Sequence, residues 1–487
     1  MSFIHSFCLS LGCRCLLLIG LGAISVSSLP AREGESDWGP LYSAHYDNAG
    51  KLKKRGAGPF YSAHEADGEQ FWGIHPFYSR SFTESNDRDL QNLLWPLGSI
   101  KEQFQQRSWW FATALGWNFD VNDPESRHRL WLLPLWFSGK DAQGENYAAL
   151  FPLGGHLHEF LGRDKIEWWL FPLYFETDIN DVHSETWMWP IYSNTKGKNV
   201  ERFRVFPFYG RSSLREDWRK WFVMWPFYSA GEYTYKGSQG GGWMLFPIAG
   251  HMKLSDQETW YVIPPLFRYM KNGEQTKQYL PWPIIQKSDG PTKKFYIWPL
   301  YGWKKTEDIS TEFALYPIFI RQDIERPTER IERRVVAPIW HWEKRLGKDE
   351  AGKVVKTNST YQKLWPFYSF SEKAGPGGTT SHFRCLELSP LRNVGGLERN
   401  WIRLWTLAEH HKEPGFTETE VLWGMYRRVL RGTEYRNTSI FPLVEWGKDV
   451  DRQRDGWQIG KGLLGYGKDE GKKRLKLLWF LDIPVGK

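Results

Sequence analysis

The side chains that could do chemistry in this chain are few and scattered. His156 and His158, followed by Glu159, have the composition of a metal site, because alternate residues of a strand face the same way. Gly154-Gly155 just before them reads as the start of a polar turn, so no metal ligand is assigned. His410-His411, between Glu409 and Glu413, reads as a charged patch in an irregular stretch. His64 beside Glu65, His75, His341 and His382 fall at unrelated places along the chain, so any site they share must be assembled by the fold. Carboxylate pairs such as Asp178 with Asp181, Glu216-Asp217 and Asp349-Glu350 raise the question of glycoside hydrolysis. That chemistry needs two carboxyl groups set several ångströms apart across a cleft, which spacing along the chain does not establish. They read as solvated turn residues.

No glycine-rich phosphate loop, Gly-x-Ser-x-Gly elbow, Cys-x-x-Cys pair or His-Glu-x-x-His helix is present. Catalytic, cofactor-binding and metal-ligating residues are therefore all left unassigned, and no cofactor is implied. The 29 tryptophans could stack on sugar rings or bases through their flat apolar faces. However, Trp95, Trp189, Trp225, Trp298 and Trp365 all precede a proline, as members of a structural consensus do. They are expected to be buried between repeats. Tyr61, Tyr78, Tyr174, Tyr192, Tyr209, Tyr228, Tyr301 and Tyr368 stand two residues after a proline, with hydroxyls expected to reach a neighbouring repeat.

Those positions belong to an internal period. A short apolar run ending in Trp, Phe or Tyr, then Pro, then an apolar residue recurs about every nineteen residues, with prolines at 59, 76, 96, 134, 152, 172, 190, 207, 226, 247, 265, 283, 299, 317, 338, 366, 390 and 442. Leu115-Gly116-Trp117 stands where a proline is missing between 96 and 134. Past Pro390 the phrase decays, with worn copies at Trp401 to Leu407, Val421 to Tyr426 and Leu463 to Tyr466, and a closing one at Leu477 to Val485. Between prolines lie charged or glycine-bearing turns, including Ser255-Asp256, Asn272-Gly273, Asp289-Gly290, Glu307-Asp308 and Gly375-Pro376-Gly377-Gly378. Asn-Gly and Asp-Gly between apolar runs predict hairpins, since both central residues of the turn need positive φ. Regular prolines exclude long helices.

The fold class that follows is all-β, a tandem array of aromatic-Pro hairpin repeats forming a solenoid, spiral sheet or propeller. A large outer-membrane β-barrel is the alternative. Prolines inside strands would delete ladder donors that lipid cannot replace, and the apolar runs do not alternate as the strands of a polar-lumened barrel do, so prolines at corners are preferred. Aromatic hairpins of this length resemble choline-binding and MORN-type arrays in general style. The Gly-Trp and Trp-Tyr-Tyr spellings of the first and the Tyr-Gly frame of the second do not recur, and no family is assigned.

Residues 1–31 read as a signal peptide, with an apolar core from Cys15 to Val26 and small residues after it. Residues 32–58 read as a polar lead-in, 59–390 as the regular array, and 391–487 as degenerate repeats with a C-terminal cap. Cys8, Cys13 and Cys15 fall in the leader, leaving Cys385 alone, so a disulfide scaffold is excluded. The net charge of +8 is spread over mixed turns and does not point to nucleic acid. These features predict an exported, non-enzymatic scaffold or binding protein of a bacterial-type cell envelope, in the periplasm, outer membrane or cell surface. Its expected partner is an envelope polymer or another envelope protein. An outer-membrane barrel and a polysaccharide-active repeat enzyme are the alternatives.

Overall fold

A computed structural model describes residues 34–485 apart from residues 67, 124, 216, 236 and 393. The leader expected over residues 1–31 lies outside the described residues. The described residues form 46 strands, mostly of five or six residues, each antiparallel to its neighbours in sequence. Among the described residues the strands form one sheet that does not close on itself, as a repeat array does and a barrel does not.

One repeat is one hairpin plus one corner. Tyr174–Ile179 turns through residues 180–181 into Val182–Trp187, and residues 188–191 then carry the chain round Pro190 into Tyr192–Gly197. Charged turns thus gather along one edge of the sheet and proline corners along the other. The expected hairpin across Asp289-Gly290 is present as Ile285–Asp289 and Lys293–Ile297. The repeated tyrosines open their strands, as Tyr209, Tyr228 and Tyr301 do. The hydroxyl of Tyr174 does not cross to a neighbouring repeat; it donates to Glu176 of its own strand at 2.8 Å, because a residue two positions on lies on the same face.

Corners hold one another. The amide of Met188 donates to the Leu173 carbonyl at 2.5 Å and that of Trp189 to the Pro172 carbonyl at 2.8 Å. Met224 with Phe208, Trp225 with Pro207, Leu315 with Leu300 and Tyr316 with Pro299 repeat the pair at 2.7 Å. Met188, Met224 and Leu315 adopt left-handed backbone, at a cost of about 1 kcal/mol each, and this is the conformation in which their amides reach the preceding corner. Where no proline stands, Ala112-Thr113-Ala114 turns the chain, and Leu115-Gly116-Trp117 opens the next strand instead of forming the corner.

The chain divides into two compact units, residues 83–364 and a second made of residues up to 82 together with 365 onward. In the 83–364 unit one sheet face is buried and pairs small residues with rings. Gly210 faces Phe222 and Gly302 faces Phe313 across strand pairs. A Cβ at Gly210 would lie 2.2 Å from the Phe222 ring. Its apolar core gathers Phe137, Tyr147, Ala149, Leu157 and Trp168. In the other unit the segment read as a worn repeat over Trp401 to Leu407 is helical: α1, Gly395–Asn400, and α2, Ile402–Trp405. Side-chain bonds from Asn400 to the Gly396 carbonyl and from Thr406 to the Ile402 carbonyl, both 2.8 Å, tie these turns. Pro390 precedes α1 in an irregular stretch and forms no corner. The worn copies near Val421 and Leu463 do form corners.

Two measurements check this architecture. Excising residues 274–307 removes four strands and joins Gly273 to Asp308 with face and register kept, so Asn272 meets Ile309. The shortened chain should retain a β-type circular dichroism spectrum and a cooperative melt, because each strand leans on its sequence neighbours. Gly210→Ala should lower stability by about 1–3 kcal/mol in denaturant melts through the clash with Phe222.

Candidate functional site

Two features stand apart from ordinary packing. The first is the corner edge. Every proline of the repeat is followed by Phe, Leu or Ile, and each such residue is exposed, from 39 % at Leu266 to 64 % at Leu443. Trp225 and Trp298, expected to be buried, are 52 % and 41 % exposed, and Trp189 is exposed as well. They sit in the corner, beyond the end of either sheet face, and are covered only sideways by the next corner's ring. Phe171 lies 6.5 Å from Trp189 and Phe206 lies 5.3 Å from Trp225, centroid to centroid. No corner of the 83–364 unit carries a charged residue.

The second feature is a polar cavity of about 420 Å³ in the unit that joins the two ends of the chain, with an adjoining one of about 200 Å³. Antiparallel register builds its walls. Opposed residues share a face, which puts His45, Lys53, Arg55, Ser62 and His64 on one side of strands Tyr42–Tyr46, Leu52–Gly56 and Tyr61–Ala66. The same rule puts His382, Arg384, Glu409, His411, Glu418, Glu420 and Arg427 on one side of strands Gly378–Cys385, Ala408–Glu413, Phe416–Val421 and Tyr426–Arg431. The two faces meet. His45 Nε2 lies 2.7 Å from Glu418, Arg55 pairs with Glu420 and lies 3.7 Å from Glu409, and Arg427 reaches Asp37 and Glu420, each at 3.6 Å. His382 Nε2 bonds Glu409 at 2.6 Å, Arg384 holds Glu398 of α1 at 2.9 Å, and Arg403 of α2 approaches Glu420 at 3.4 Å. Trp423 donates its indole N–H to the Arg403 carbonyl at 2.7 Å.

Six cationic side chains line the larger cavity, Lys53, Lys54, Arg55, Arg384, Arg399 and Arg403, against three carboxylates, Glu398, Glu409 and Glu420. The field this creates shows in the titratable groups. Burial pushes the Glu409 carboxyl up, but the His382 hydrogen bond and the charges of His382, Arg55 and Arg384 outweigh it and hold it well below the usual carboxylate range. Burial likewise opposes ionisation of Glu418, and His45, Arg55 and Arg427 hold it well below that range. Burial, then the Arg403 charge, pushes the His75 imidazole down to about 4. Burial, Lys53 and Arg55 lower His64. Arg403 is lowered to about 9 by burial and by Arg55, and remains charged at neutral pH. Glu409 and Glu418 are thus held ionised by the cationic groups around them, and His64 and His75 are held neutral by burial first and by cationic neighbours second.

The residues singled out from sequence divide accordingly. His64, His75 and Glu409 line the larger cavity and His382 and His411 the adjoining one, His411 also bonding Glu413, while His410 bonds Thr419. His158 is not grouped with Glu159, which pairs with Arg127; it meets Asp141 at 2.5 Å, and Asp141, Glu145 and His158 bring three ligand-capable atoms within 4.8 Å. Asp141 is engaged there as a turn cap, accepting from the amides of Gln143 and Glu145 at 3.0 and 2.8 Å. Glu418, Glu420, Arg55, Arg403 and Arg427 were missed. The usable signal was the run Phe416-Thr417-Glu418-Thr419-Glu420-Val421, an alternation whose buried set is Phe416, Glu418 and Glu420. No protein-family model and no curated protein matches the chain.

The protonation pattern fixes a pH dependence. Between pH 6.5 and about 4 the unfolded chain protonates His75 and the folded chain does not, so stability is full above pH 6.5 and falls by about 3 kcal/mol towards pH 4. Glu409 and Glu418 add a further loss below about pH 4.5, since their folded values lie lower still. Melting midpoints measured from pH 8 to pH 4 should begin to drop below pH 6.5; a midpoint constant down to pH 5 would contradict the buried neutral histidine.

Proposed function

We propose that the protein is an exported, non-enzymatic β-repeat scaffold of a bacterial-type cell envelope, seated on lipid by its proline-corner edge. One observation carries this reading: wherever a repeat has its proline, the residue after it is apolar and exposed. A consensus kept apolar by burial would be buried; one kept apolar while exposed must meet something apolar outside the chain.

Lipid suits this edge better than a protein surface. Strand residues flanking the corners, such as Trp187, Tyr209, Val223, Val262 and Phe267, are exposed and apolar too. The corner amides already bond the preceding corner's carbonyls, so the backbone can leave water without orphaned donors. Trp and Tyr are abundant along the band, as in the aromatic belts of membrane interfaces. A six-residue strand is about 20 Å long, and its apolar half about 10 Å. That depth fits one leaflet, about half of a hydrocarbon core of about 30 Å. The charged turns at the far edge then stay in water.

Flotation with phosphatidylcholine–phosphatidylglycerol vesicles tests the reading. The full chain should float with the vesicles, and brominated lipid should quench its tryptophan fluorescence. The triple variant Phe208→Ser, Phe227→Ser, Ile248→Ser should bind at least about tenfold more weakly, given roughly 1.5–3 kcal/mol for each large apolar side chain fully buried. A chain that stays with the aqueous phase, or a variant that floats equally well, would refute seating on lipid.

A further inference from the structure

The corner edge leaves the cavity of the end-joining unit without a role. The lining of the larger cavity carries six cationic side chains against three carboxylates, an excess of positive charge that a bound anion would offset. Arg55 is engaged by Glu418 and Glu420, Arg384 by Glu398 and Arg403 by Glu420, while among the described residues Lys53, on the same sheet face as Arg55, makes no ion pair with a carboxylate of this lining. The Nε of Arg403 is buried and has no hydrogen-bond acceptor among the described residues. Trp423 and Phe71 supply apolar wall. A space of about 420 Å³ whose lining holds more guanidinium and ammonium groups than carboxylates suits a planar or tetrahedral group of oxygens on a small organic body.

We infer that this cavity is a binding site for a small oxyanion, a carboxylate- or phosphate-bearing molecule of about monosaccharide size. Arg403 and Lys53 contact its charged end, and Trp423 lies against its apolar side. Glu409 and Glu420 hold the arginine forks in place and set the limit on total charge: they leave room for one anionic group and repel a polyanion. The neutral imidazoles of His64 and His75 can donate or accept a hydrogen bond without adding charge.

The test uses the full chain with two probes, inorganic phosphate and glucuronate, by calorimetric titration and by the rise in melting midpoint that a native-state ligand produces. At least one probe should bind, with affinity falling as salt rises. The two probes separate the sources of the oxyanion: preference for phosphate marks a phosphate ester, and preference for glucuronate a sugar acid. Arg403→Gln should weaken binding about tenfold or more. Because that residue is buried, Lys53→Gln, at a half-buried lining residue, provides the second variant; it should keep the wild-type melting midpoint without ligand and weaken binding several-fold. Failure of both probes to bind at millimolar concentration, or unchanged affinity in a folded Lys53→Gln protein, would overturn the inference. Neither result bears on vesicle flotation, which depends on the opposite kind of surface.

Discussion

Every part of this protein depends on how the chain reverses direction at proline. After about six residues of strand the ladder must end, and proline, lacking an N–H, ends it where no donor is required. The amides on either side of that point still need acceptors, and each corner finds them in the carbonyls of the corner before it. One bond closes within the corner, as from Ile191 to the Met188 carbonyl, but the others need the preceding corner, which makes the repeat a condition of its own stability. Left-handed backbone at Met188, Met224 and Leu315 follows from the same need, since without it the amide would point away from the preceding turn.

This constraint segregates chemistry along the two edges of the sheet. Corners bonded to one another require no polar side chains and carry none that are charged in the 83–364 unit; hairpin turns carry charged residues and glycine, as at Asp181, Asp256, Gly273 and Asp308. The buried face has a different rule. Small residues make room for rings there: Gly210 accepts Phe222 and Gly302 accepts Phe313, and Thr186, Thr195, Thr259 and Ser288 are buried as well. The unit that joins the chain ends follows neither pattern. Its inward face carries Glu418, Glu420, Glu445 and Arg427, each at most 5 % exposed, and its apolar core is reduced to Phe416, Val429 and Tyr435. Removing one partner from such a set leaves an uncompensated buried charge, so these residues are held together by mutual need more than by net attraction.

Loss of the consensus past residue 390 therefore has a physical meaning other than wear. The stretch from Val394 to Trp405 abandons the hairpin for two short helices, and these carry Glu398, Arg399 and Arg403 to the cavity. Departures from a repeat mark the places where the chain does something the repeat cannot, and here that is the assembly of opposed charges around an internal space.

How much was legible in advance follows from the range of the interactions involved. Period, proline and turn residues act locally, over a few residues, so the sequence by itself determined the all-β class, the hairpin repeat and the placement of proline at corners. Burial of Trp225 and Trp298 was misread because repetition shows that a position matters without showing which side of it is covered. Only the tertiary structure decided that the aromatic edge is open, and that His45, Arg55 and His75 lie against Glu409, Glu418 and Arg403. Those contacts join residues more than three hundred positions apart, and no local pattern encodes which distant faces will meet; that depends on how far the sheet twists over all the strands between them.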